Sequence, residues 1–203
     1  MKWIVITLPT FIPDEARLIA GLFQRGLDVL HLRKPGSDEG SCRRLLDGIS
    51  ECWHERIVVH DHFSLCRDYG LLGVHLNGRH PQPPADFQPR SVSASCHSVD
   101  EARRRKDTLD YVFLSPIFDS ISKQGYSSAY TPELLADAHD HGFIDRKVMA
   151  LGGVTLEHIP RIREWGFGGA VFLGDVWNRV GQPGMDAYLE RVERALHRRN
   201  GKI

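Results

Sequence analysis

The sequence carries no excess of charge of either sign: its 203 residues hold 26 Lys+Arg against 26 Asp+Glu. A nucleic-acid binder normally needs a basic surplus to displace counterions from phosphates, so that class is excluded as a first reading. Long apolar runs are missing too; none approaches the roughly 20 residues that cross a bilayer. The apolar start, residues 1–7, is shorter than a signal-peptide core and is broken at once by Pro9 and Pro13, so it reads as a buried first strand. Cysteine is sparse. Cys42, Cys52, Cys66 and Cys96 lie far apart with no CxxC pair, which excludes a zinc ribbon or a thioredoxin-type motif and fits reduced thiols in a cytoplasm. No GxGxxG follows the first apolar run, where Thr7-Leu8-Pro9-Thr10 stands instead, so an open dinucleotide-binding sheet is disfavoured.

What remains is ordinary globular composition, 41% hydrophobic and 26% charged, which argues for a packed core. Short, nearly continuous apolar runs occur at residues 3–7, 28–32, 56–60, 72–76, 91–95, 111–114, 148–151 and 170–173. Continuity rather than alternation marks strands covered on both faces, and hence a parallel sheet. Helical stretches separate most of them. Pro13-Asp14-Glu15, Asp38, Ser98-Val99-Asp100-Glu101, Thr131-Pro132-Glu133 and Thr155-Leu156-Glu157 supply start signals. After the fourth strand Pro81-Gln82-Pro83-Pro84 leaves no room for a regular helix. Eight βα units with neither linker nor low-complexity tract predict one (β/α)8 TIM barrel over residues 1–203, with the fourth helix short or absent.

Active sites of such barrels lie at the C-terminal strand ends. Those ends gather His31-Leu32-Arg33-Lys34, His60-Asp61-His62, His75-Leu76-Asn77, the segment 93–97, the segment 115–123, Gly152-Gly153 and Gly174-Asp175. Glycines ending strands seven and eight suit a phosphate held by backbone N–H groups. Ser120, Ser122 and Lys123 add hydroxyls and an ammonium, while Arg33 and Lys34 add two more cations, enough for a diphosphate. Asp61 offers a hard oxygen ligand for Mg²⁺.

In this order, His31-Leu32-Arg33-Lys34, Val58-Val59-His60-Asp61, Gly73-Val74-His75-Leu76, Ser95-Cys96-His97-Ser98, Ser115-Pro116-Ile117-Phe118, Ser120-Ile121-Ser122-Lys123 and Ala150-Leu151-Gly152-Gly153 resemble the thiamine-phosphate synthase / TenI superfamily over nearly the whole chain. The resemblance implies a transferase of thiamine biosynthesis. It would join hydroxymethylpyrimidine diphosphate to a thiazole phosphate and release diphosphate. It also implies that Arg33, Ser95 and Lys123 contact the diphosphate and that Asp61 holds Mg²⁺. His31, at the position that contacts the pyrimidine, and Lys34 and His60 near it would bind substrate, and Ser120, Ser122, Gly152, Gly153 and Gly174 the thiazole phosphate. Partners would be small phosphorylated molecules, with a homodimer compatible and neither nucleic acid nor membrane expected.

Departures from the family pattern are specific. His31 stands where the synthases read Gln, His60 where they read Asn, and Lys34 comes one place early, before Pro35. The second acidic ligand position is His80, preceded by Arg79, and Asp119 replaces a proline. The tautomerase branch uses a His on the loop after the sixth strand, and here that position is Pro116. A tautomerase, or an inactive binder of thiazole or thiamine phosphate, is therefore the competing expectation. Among the eleven histidines, His60-Asp61-His62 invites a zinc reading, but alternation along a strand sends neighbours to opposite faces. His75 reads as a hydrogen-bonded core residue.

Overall fold

A computed structural model describes residues 1–119 and 130–197. Eight strands pair in sequence order, all parallel, and close on themselves. They are β1 (Lys2–Ile6), β2 (Val29–Leu32), β3 (Ile57–Val59), β4 (Gly73–Leu76), β5 (Val92–Cys96), β6 (Tyr111–Leu114), β7 (Val148–Leu151) and β8 (Gly169–Phe172). Each overlaps one of the eight expected apolar runs. The helices are α1 (Glu15–Gln24), α2 (Glu39–Asp47), α3 (Ser64–Asp68), α4 (Val99–Lys106), α5 (Pro132–Asp140), α6 (Ile159–Glu164), α7 (Gly174–Trp177) and α8 (Met185–His197). Residues 77–91 form no helix, as the proline run requires.

Local chemistry starts several helices where expected. Asp38 accepts from Ser41 N at 2.8 Å and Thr131 from Leu134 N at 3.2 Å. Ser98 accepts from Glu101 N, but the Glu101 carboxylate turns back to His97 N rather than to Ser98, so the expected reciprocal box is shifted by one residue.

Strand alternation sorts the apolar residues into two layers. Leu30, Leu32, Ile57, Val59, Val74, Val112, Leu114 and Phe172 join the helices in one buried cluster. Ile4, Ile6, Val29, Val58, Tyr111, Phe113, Met149 and Val171 form a second, inside the barrel. Trp177 donates to Ile6 O at 2.7 Å, seating α7 on the end of β1. No helix among the described residues is long and apolar enough to cross a membrane.

Candidate active site

The C-terminal strand ends surround a cavity of about 1260 Å³. Its lining includes Arg33, His60, His75, Ser95 and Arg105 on one side and Gly152, Gly153, Gly174, Asn178 and Arg179 on the other. Three expected site residues other than glycines, Arg33, His60 and Ser95, thus meet one space, and so do all three expected glycines. Ser120, Ser122 and Lys123 lie outside the described residues.

Arg33 follows β2, where its backbone N–H is fixed by Thr7 Oγ1 at 2.9 Å. Its guanidinium enters no ion pair or hydrogen bond among the described residues and faces the cavity, which leaves its planar donors for an anion. Lys34 does not do what was expected of it. Its ammonium is buried against both Glu15 oxygens, at 2.6 and 2.8 Å, and Thr10 O at 2.8 Å, away from the cavity. Burial pulls its pKa down, a pull that Glu15 only partly offsets. Pro35 and the one-place shift of the lysine turn it under the loop after β1, so Lys34 anchors that loop instead of binding substrate.

Gly152 and Gly153 adopt φ of 95° and 61°. A Cβ on Gly152 would come within 2.8 Å of Pro116 Cα, and one on Gly153 within 2.4 Å of Asp119 O. Close packing of the loop after β6 therefore demands these glycines on its own account. The same conformation leaves their N–H groups without a backbone acceptor among the described residues, beside the N-terminus of α7. Asp175 of α7 lines the cavity as the strand-end pattern expects, and so do Asn178 and Arg179, which follow the helix and carry no sequence signal of their own. Arg179 stacks 3.9 Å over Tyr188 and pairs with Asp175 at 3.1 Å. Burial raises the Asp175 pKa despite that partner.

Asp61 tests the fit of Mg²⁺. Its two oxygens accept from Arg79 Nε at 2.9 Å and Nη2 at 3.0 Å, and His80 Nε2 lies 3.5 Å away. Mg²⁺ needs several hard oxygen donors in octahedral array. One carboxylate already neutralised by a bidentate guanidinium, with an imidazole where a second acid would stand, does not fit. The expected metal ligand is instead half of an ion pair, and Arg79 occupies the place of the cation's charge.

Beneath the rim the barrel interior turns polar. Register puts His31, His60 and His75 on adjacent strands facing inward, with Ser93, Ser95 and Tyr111 alongside. His31 is fully buried and does not reach the cavity, contrary to its expected contact with substrate. Its Nδ1 lies 2.9 Å from His60 Nε2 and its Nε2 2.7 Å from Tyr111 OH. His75 bonds Ser93 Oγ at 2.9 Å and Ser95 Oγ at 3.0 Å and stacks on His60 at 4.2 Å. Burial holds His31 and His60 far below the ordinary imidazole range, with neighbouring histidines adding to it. His75 is pushed down to about 3, by burial first and then by Arg105 and Arg33. Each of the three offers a ring nitrogen within 4.8 Å of the others, a spacing a metal could use. The local zinc reading does not hold: His62 turns away to Ser37 O at 2.8 Å.

The sequence profile of the family described as "Thiamine monophosphate synthase" matches residues 4–175. A solved structure of a thiamine phosphate pyrophosphorylase from Bacteroides thetaiotaomicron superposes with TM-score 0.88 at 42% identity, covering 98% of this chain and 100% of that one. A thiamine phosphate pyrophosphorylase from Pyrococcus furiosus, 17% identical with TM-score 0.72 over 96% of this chain and 95% of that one, shares the fold. The thiamine-phosphate synthase of Latilactobacillus sakei is 26% identical over 132 residues, 61% of this chain and 57% of that protein. The chain likewise spans 56% of the length of the Actinobacillus succinogenes and Pasteurella multocida synthases. With the profile covering most of the barrel and the arginine and glycine positions meeting in one cavity, the chain belongs to the thiamine monophosphate synthase family.

Proposed function

We propose that the protein is a thiamine-phosphate synthase-type transferase, joining hydroxymethylpyrimidine diphosphate to a thiazole phosphate with release of diphosphate. The single observation that carries this is one continuous cavity with an uncommitted guanidinium, Arg33, on one side and the open N–H groups of Gly152 and Gly153 on the other. Two phosphorylated substrates can then lie side by side with their phosphates apart. Departure of the diphosphate leaves a stabilised pyrimidine cation, which the thiazole nitrogen captures. That chemistry asks chiefly for fixed positive charge at the leaving group. Arg33 and Ser95 would hold the diphosphate, with Arg105 beside them. Gly152, Gly153 and Gly174 would hold the thiazole phosphate together with Ser120 and Ser122, and Lys123 would contact the diphosphate, as the family resemblance implies.

No step runs through Mg²⁺, because Asp61 is committed to Arg79. The four cysteines are free thiols, which fits a reducing cytoplasm. A homodimer belongs to this proposal and is read by sedimentation. Incubating the pure protein with both substrates and following thiamine phosphate tests the reaction. Product formation supports it; retained binding of thiazole phosphate without product overturns it in favour of a binding protein. A proton-shifting enzyme on a thiazole phosphate is the second reading, favoured by the buried histidines.

A further inference from the structure

An acid stands at the cavity wall where a phosphate subsite ought not to tolerate one. Asp175 directly follows Gly174 and lines the same cavity as Gly152, Gly153 and Gly174. A phosphate held by those glycines therefore meets a like charge one residue away from its backbone donors. Left bare, that carboxylate strongly opposes binding.

Two groups answer the charge, and they are unequal. Tyr188, on α8, donates its phenol O–H to Asp175 Oδ2. Arg179 brings Nη2 to Oδ1 at 3.1 Å and lays its guanidinium 3.9 Å over the Tyr188 ring. The Asp175 side chain is only 8% exposed and Tyr188 is buried, so their bond ties α7 to α8 whatever fills the cavity. Arg179 is different: its side chain is 42% exposed and belongs to the cavity wall. As an i,i+4 ion pair at a wetted surface it adds little to stability. Its Nη1 makes no hydrogen bond among the described residues, and its buried Nε–H has no acceptor. A guanidinium stacked on a ring and held through one nitrogen keeps its plane fixed while other donors stay unspent. That is the condition for receiving an oxyanion. Asn178 stands alongside, its amide nitrogen 3.7 Å from where a Cβ on Gly174 would lie.

We propose that Arg179 is a specificity-determining residue of the subsite formed by Gly152, Gly153 and Gly174: it neutralises Asp175 and donates to the phosphate, so that a phosphorylated thiazole is selected over the free alcohol. The identity of the heterocycle rests on the transferase reading above; the need for a cation beside a phosphate at these glycines does not. Asp175 and Tyr188 are positioning residues, which act through the guanidinium. Arg33 and Arg105 stand across the cavity with Ser95, so each of the two anions has its own arginine. Selectivity follows from where the charges lie. The uncharged alcohol gains nothing from Arg179 and loses nothing to Asp175. The phosphate ester gains a donor and is relieved of a repulsion, and removing Arg179 reverses both.

The test is calorimetry on the intact protein near neutral pH, with thiazole phosphate, the unphosphorylated thiazole alcohol and inorganic diphosphate as probes. Arg179→Ala should weaken thiazole phosphate about 10- to 100-fold and leave the alcohol and diphosphate within about twofold. Adding Asp175→Asn to Arg179→Ala should recover part of that loss, because the bare carboxylate is its repulsive half. A merely structural role gives the opposite sign, with the second substitution weakening every ligand further. Equal losses for phosphate and alcohol, no loss for phosphate, or a loss that falls on diphosphate instead would overturn the proposal. So would an unaltered protein that binds thiazole phosphate no more tightly than the alcohol. Should the alanine variant fail to fold, Arg179→Gln, which keeps the stem and removes the charge, makes the same comparison. If thiazole phosphate binds with this dependence on Arg179 while no thiamine phosphate forms, the subsite stands and the transferase reading falls.

Discussion

His31 Nδ1 lies 2.9 Å from His60 Nε2, and the two rings, with His75, are buried at the floor of the cavity, where burial favours the neutral form. Their unfolded counterparts titrate near 6.5, so below that pH the unfolded chain binds protons that the fold refuses. Stability must fall as pH drops through about 6.5 and keep falling toward the His75 value of about 3. Each histidine contributes about 1.4 kcal/mol per pH unit in that window, and the three together about 4. Urea unfolding at pH 7 and pH 5 measures this; His75→Gln should remove about a third of the slope.

The Lys34–Glu15 pair is nearly inaccessible, with side chains 1% and 2% exposed. Glu15→Gln strands a buried ammonium and should cost about 3–5 kcal/mol, whereas replacing both partners by apolar residues should cost far less. Denaturant midpoints of the single and double variants decide it. Equal losses would mean that the pair itself, not the orphaned charge, matters.

Gly153→Ala adds a Cβ 2.4 Å from Asp119 O at φ 61°, while Gly36→Ala adds one at φ 76° with nothing within 4 Å. The second isolates the backbone cost of about 1–2 kcal/mol. The first should exceed it clearly in thermal unfolding, because the loop after β6 has to move as well.

Arg33 makes no side-chain contact that holds the fold, so Arg33→Ala should leave the melting temperature unchanged. Hydrogen bonds to a charged group are worth about 1.5–3 kcal/mol, so inorganic diphosphate should bind about 10- to 100-fold more weakly by calorimetry. Arg33→Lys should recover only part of that loss, lacking the planar fork.

Much of the barrel was legible because its signals are local. Continuous apolar runs, caps such as Asp38 and Thr131, and the run beginning at Pro81 each act within a few residues. The site was legible only where one strand end suffices, as at Arg33, Ser95 and Gly152-Gly153. The histidine cluster depends on register between β2, β3, β4, β5 and β6, which no single segment encodes. The same holds for Lys34 and Asp61, whose partners Glu15 and Arg79 lie 19 and 18 residues away in sequence. Asn178 and Arg179 have no local signature because they follow α7, a four-residue helix after β8, and reach the cavity only through the fold.

If one cavity holds both substrates and guanidinium groups supply the leaving-group charge, turnover needs no divalent cation. The direct measurement is single-turnover formation of thiamine phosphate from both substrates with a strong chelator present. The expected result is product at a rate that added Mg²⁺ raises little and Arg33→Ala depresses by about tenfold or more. Product that forms only when Mg²⁺ is added, or no product in either condition from protein that still binds thiazole phosphate, would contradict it.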